Sequence, residues 1–140
     1  GSMFSILALR DLTVYGLSVK VSSGANFPIQ VYTCTGAYSQ ASDVNDKKEW
    51  HLIMDITMKS NFVLGMALPT PLQDFDTPIM LRSMTVQSFY VTSPVPVIFC
   101  SMGVREGDLW ASNLDMLLFS GRLVKHRFAS SSRDFAFNGG

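Results

Sequence analysis

Apolar and polar residues alternate along most of this chain with the period of two that marks a strand with one buried face, not the 3.6 of a helix. Residues 12–21, LTVYGLSVKV, show it first: Leu12 and Val14 share a side, the count slips by one at Gly16, and Leu17, Val19 and Val21 resume it. A glycine at the slip predicts a bulge or bend in one long strand that joins the cores of two sheets, so Gly16→Val is expected to damage folding. Residues 50–58 alternate as cleanly, with Trp50, Leu52, Met54, Ile56 and Met58 inward and His51, Ile53, Asp55 and Thr57 outward.

Shorter runs fill in the rest. Residues 3–9 read as a strand or strand-like lead-in, and 29–34 as a strand that pairs with or lies close to 12–21. Further strands are expected over 79–81, 84–92 and 97–102, with Trp110 held in 109–113 and the start of a last strand at 134–138. In 84–92 the apolar positions do not single out an inner face. Over 114–119 a helical turn competes with a strand. Residues 35–49 form a long polar loop, while Pro69, Pro71 and Pro78 make 60–78 a connection crossing the outside of the sheets, with no central strand in it. Seven to nine short strands with turns every 8–12 residues are the signature of an all-β, antiparallel β-sandwich or jelly roll. One domain over residues 3–140 is expected, the opening Gly1-Ser2 reading as an expression-tag remnant.

Composition narrows the partners. Only 16% of the 140 residues are charged, below the roughly 25% usual for soluble proteins, while 47% are hydrophobic. Eleven basic residues balance eleven acidic ones. Zero net charge offers no field to attract phosphate backbones, which argues against nucleic acid, and it removes the repulsion that keeps copies apart, which favours a homo-oligomer. No apolar run approaches the roughly 20 residues of a membrane span. Cys34 and Cys100 are expected as two free core thiols, and no Asn-x-Ser/Thr acceptor occurs.

Candidate chemistry is thin. His51 and His126 have no cysteine, histidine or carboxylate at a metal-ligand spacing, so neither a metal nor any other cofactor is expected. A Ser101–His51–Asp55 set is the kind of list any serine-rich β chain permits, and no enzyme activity is expected. Asp74 with Asp76, and Asp43 with Asn45 and Asp46, are too few oxygens for Ca²⁺ and read as solvated turns. Arg122, Lys125, His126, Arg127 and Arg133 make the last fifth of the chain basic, which suits a solvated face or an acidic neighbour. The best binding candidates are the 35–49 loop and a tryptophan in loop-like surroundings, with Tyr38, Asp43 and Trp110 placed to touch a sugar ring.

The opening MFSILALRDLTVYGL, then Val31-Tyr32-Thr33 with Gly36 and Tyr38, the lone Trp50 after a polar loop, Phe89-Tyr90-Val91-Thr92 and the tail RDFAFNG occur in that order. Together they resemble a β-sandwich module of secreted or surface proteins of marine bacteria and diatoms, with Ser5 standing where an acid is usual. The resemblance implies a binding, adhesive or assembly role outside the cell or at its surface, and it carries over no functional residue. The expectation is therefore a non-catalytic binding or adhesion module for a polysaccharide or protein partner, with glycan the favoured ligand. The alternative is a self-assembling, shell- or coat-like building block inside an organelle.

Overall fold

The computed structural model describes residues 1–21, 26–37, 49–59, 69–95, 98, 100–101, 105–124 and 133–137. Twelve strands and no α-helix occur among them: β1 (Ser2–Ala8), β2 (Leu12–Val14), β3 (Ser18–Lys20), β4 (Phe27–Thr35), β5 (His51–Met58), β6 (Pro69–Pro71), β7 (Ile79–Leu81), β8 (Val86–Thr92), β9 (Cys100–Ser101), β10 (Leu109–Ser112), β11 (Met116–Leu123) and β12 (Arg133–Phe137). The protein is all-β and every ladder is antiparallel.

One large sheet runs in the order β5-β4-β8-β1-β11-β12-β9. β10 lies beside the first half of β11, on the edge whose second half β12 takes. Two ribbons, β2-β7 and β3-β6, stand apart from it. The front face of the sheet, carrying Phe4, Ile6, Ile29, Val31, Met54, Phe89 and Val91, packs into one cluster with Val19, Leu72, Phe75 and Leu81 from the ribbons and their connections. On the back face Met3, Tyr32, Cys34, Trp50, Tyr90 and Val124 form a second cluster.

That double burial explains the silent pattern in 84–92. From Gln87 to Thr92 every residue of β8 is buried, because Phe89 and Val91 point forward while Ser88 and Tyr90 point back. A strand with apolar cover on both sides has no reason to alternate.

Several expectations change. The long strand over 12–21 is broken at residues 15–17 into β2 and β3, which pair with different partners. Its apolar positions still face the core, Val19 and Val21 buried and Leu12, Val14 and Leu17 packed against them. β4 pairs with β5 and β8, so it meets 12–21 only through the core. The proline-rich connection supplies β6 and the buried Leu72 and Phe75, and so belongs to the layer facing the sheet. Prolines two apart withhold donors from one edge of a strand only, leaving the other free to pair. In β5, Met54, Ile56 and Met58 face inward as expected, but a bulge opposite Val31 and Tyr32 reverses the phase beyond it. Leu52 is thereby half exposed, Ile53 packs on the front core, and Trp50 joins the back cluster. Of the 114–119 segment, Leu114 and Asp115 lie in a tight turn and 116–119 open β11.

β11 also bulges, Ser120 and Gly121 together opposing the single residue Phe4. Gly121 is pressed onto β1: a Cβ there would collide with the Met3 carbonyl oxygen and lie 2.6 Å from its carbon and 2.9 Å from the Phe4 Cα. Ser2 opens β1 as a buried residue, and Gly1 exchanges backbone hydrogen bonds with Val124, so the residues expected to be a tag remnant take part in the sheet.

Candidate functional site

Of the expected binding residues, Trp110 is described. It lies on β10, where all four residues are exposed, and 38% of its own surface is open to solvent. The loop-like setting expected for it is in fact a strand ending in a tight turn, held by Asn113 Oδ1 accepting from the Asp115 and Met116 amides at 2.8 Å each. Tyr38 and Asp43 fall outside the described residues, as do Asn45, Asp46, Lys125, His126 and Arg127.

The catalytic candidates do not converge. His51 stands opposite Thr33 and Asp55 opposite Gln30, so the β5 bulge puts them on opposite faces of the sheet. Asp55 instead accepts a 2.7 Å hydrogen bond from Gln30 Nε2. Among the described residues no group of three His, Cys, Asp or Glu side chains is placed to hold a metal. Asp74 and Asp76 are exposed on either side of the buried Phe75. Arg122 is held by Glu106 at 2.6 Å, one described piece of the basic C-terminal segment. Cys34 is a free, buried thiol, which burial pushes up to about 11. Its burial disfavours the thiolate, the reactive form of a cysteine. No helix among the described residues is long and apolar enough to cross a membrane.

The feature with the shape of a site is a cleft of about 390 Å³ on the front face. Its floor is Phe4 and Ile6 of β1 and Phe89 of β8, the two phenyl rings stacked with centroids 5.7 Å apart. Met116 and Leu118 of β11 form one wall, and the 12–17 segment forms the other, with Leu12, Val14 and Leu17 turned toward the floor.

The second wall is fixed from behind. β2 pairs with β7, and the carbonyls of Tyr15 and Leu17 accept from the amides of Phe75 (2.7 Å) and Leu72 (2.8 Å), two residues anchored in the core. The segment is thus tied to the ribbon layer along one edge, and the gap lies on the other, toward the β10–β11 turn. No family model, curated protein or solved structure matches the chain.

The polar residues among the described lining are Thr13 on β2 and Tyr15, Asn113 and Asp115 on the loop and turn beside it. Tyr15 is 60% exposed, Asn113 spends its Oδ1 on its own turn, and Asp115 is paired with Arg10 at 3.0 Å. Such a cleft can exclude water from an apolar group and orient it with one or two polar contacts. Among the described residues that line it there are no paired acids and no cluster of cations.

Alternation had marked Leu12, Val14 and Leu17 as core, which they are in part. It carries no information on how far the wall they form stands from β11. The one local signal was the break at Tyr15-Gly16, where the segment leaves one ribbon for the other.

Proposed function

We propose that this chain is a non-catalytic binding module, an antiparallel β-sandwich of the jelly-roll kind that receives an apolar group of its ligand in the cleft beneath residues 12–17. The observation that carries the reading is the cleft's lining: a volume of about 390 Å³, within the range of small-molecule sites, walled among the described residues by eight apolar side chains with Asp115 the single charged one. The ligand chemistry that fits is a neutral or cationic aryl or alkyl group. A module of this kind belongs outside the cell or on its surface.

The reading is tested by titrating the ¹⁵N-labelled protein with neutral fragments, toluene, 2-naphthol and cyclohexanol, and following amide shifts. The expected result is a response centred on Leu12, Val14, Leu17, Met116 and Leu118 that Val14→Trp abolishes by filling the space. Fragments that perturb other parts of the molecule alone would overturn it. A glycan array tests the surface around Trp110: binding lost in Trp110→Ala but kept in Val14→Trp would move the site to β10.

A second reading, a self-assembling block inside a larger structure, is favoured by the side chains that water meets. Met80, Met84 and Leu114 are each more than 60% exposed in a chain of zero net charge, and large apolar side chains left open often mark contact surfaces.

A further inference from the structure

Methionine is an apolar side chain whose polarity a mild oxidant can reverse. The described methionines stand in three settings. Met3, Met54 and Met58 are buried in the two core clusters, while Met80 and Met84 are open to solvent, 83% and 67% exposed. Met116 is in neither position: it packs against the front core, partly buried, and is part of the lining of the cleft.

The fold places Met116 at the wet end of the cleft wall. It opens β11 opposite the buried Ala8 of β1, with Leu118 further along opposite Ile6 of the floor. Its backbone is fixed on both sides, the amide donating to Asn113 Oδ1 at 2.8 Å and the carbonyl accepting from the Asn113 amide at 3.0 Å. The side chain therefore joins the wall beside the exposed Asn113 and Asp115, where small solutes have access. Every other apolar side chain among the described lining residues is a hydrocarbon, which the same oxidant leaves alone.

The chemistry is a two-electron oxidation by hydrogen peroxide. A lone pair of the thioether sulfur attacks one peroxide oxygen, the O–O bond breaks as the S–O bond forms, and the hydroxide released takes up a proton and leaves as water. Sulfur is oxidised to the sulfoxide and peroxide is reduced. The new oxygen is a strong hydrogen-bond acceptor on a wall built to exclude water, and an apolar ligand group laid against it supplies no donor, so binding carries the cost of an unsatisfied polar atom.

Given the cleft as the ligand site inferred above, we propose that Met116 makes that site sensitive to peroxide: as a thioether it completes the apolar wall, and as a sulfoxide it turns the ligand away. Met80 and Met84 lie outside the cleft lining and react without that consequence. Met3, Met54 and Met58 are shielded by their burial.

Dilute hydrogen peroxide tests this, with each methionine followed by peptide mass spectrometry and samples along the time course titrated with toluene and cyclohexanol by amide shifts. Met80 and Met84 should oxidise fastest, Met116 next, and Met3, Met54 and Met58 slowest. Fragment affinity should fall at least about fivefold in step with Met116 sulfoxide and not with the sulfoxides of Met80 and Met84. Saturating cyclohexanol should slow the oxidation of Met116 and leave that of Met80 unchanged. In Met116→Leu, whatever the affinity of the variant itself, peroxide should not alter it, whereas in the double variant Met80→Leu, Met84→Leu the loss should persist. Affinity indifferent to Met116 sulfoxide, a loss that persists in Met116→Leu, or a loss that comes only with a spectrum of unfolded protein would overturn the sensitivity and leave the cleft as a binding site. Absence of fragment binding before any oxidation would overturn both.

Discussion

On the front of the large sheet, apolar residues of β1, β4, β8 and β11 meet the ribbons across a wide interface; on the back, six of the described residues form a smaller cluster over the same strands. The chemistry differs as well as the extent. Across the front, Ile, Val, Leu, Met and Phe are nearly interchangeable fillers, with Phe4 stacked on Phe89. Across the back, Tyr90 is stacked on Tyr32 at 5.9 Å and meets the Trp50 edge at 5.9 Å, beside a Ser5–Ser88 hydroxyl pair at 2.7 Å. An aliphatic layer can tolerate a gap, and the cleft lies there. An aromatic cluster with polar neighbours depends on the orientation of each member.

The point common to both faces is the Gly121 bulge, where β11 crosses β1. Gly121→Ala should have the largest effect, preventing folding or costing about 4 kcal/mol or more in urea denaturation, since backbone on both strands would have to move. Next come the two faces themselves. Phe89→Ala and Trp50→Ala should each cost about 3–5 kcal/mol. Leucine should recover more than half of that at Phe89 and little at Trp50; equal recovery at both would mean that the two faces are equally tolerant.

The buried thiol of the back cluster gives a pH-dependent measure of the same contrast. Cys34 is held up to about 11 against an ordinary value near 9. Between those values the unfolded chain releases the proton that the folded chain retains, so stability should be unaffected by this group below pH 9 and fall as pH rises toward 11, by on the order of 2 kcal/mol. The difference between wild type and Cys34→Ala, followed by denaturant midpoints from pH 8 to 11, isolates that slope; a flat difference would mean the back cluster admits water.

Gly16→Ala should have the smallest effect, under about 0.5 kcal/mol. Gly16 has no positive φ, and the nearest atom to an added Cβ is the Gln73 carbonyl oxygen at 3.4 Å, beside the tolerant front layer. A loss of 2 kcal/mol or more would show that the 12–17 wall is as tightly specified as the back face.

Period-two alternation, turn residues and the scarcity of charge were enough to specify an all-β antiparallel chain, because strand geometry assigns each residue a side from local sequence alone. It marked Val19, Val21, Met54, Ile56 and Met58 as inward, and they are. What it could not specify depends on partners far along the chain. Leu52 and Trp50 left the inner face because β4 imposes a bulge on β5. Pro69 and Pro71 entered a ribbon because β3 lies opposite them. β8 lost its pattern because two layers cover it.

The candidate site follows the same division. Trp110 stood out in the sequence as a tryptophan in loop-like surroundings, while the cleft is the space left between the 12–17 wall and β11, segments about a hundred residues apart. Local sequence decides which way a side chain faces; the distance between two walls, and so whether there is room for a ligand, is decided only when distant strands are stacked.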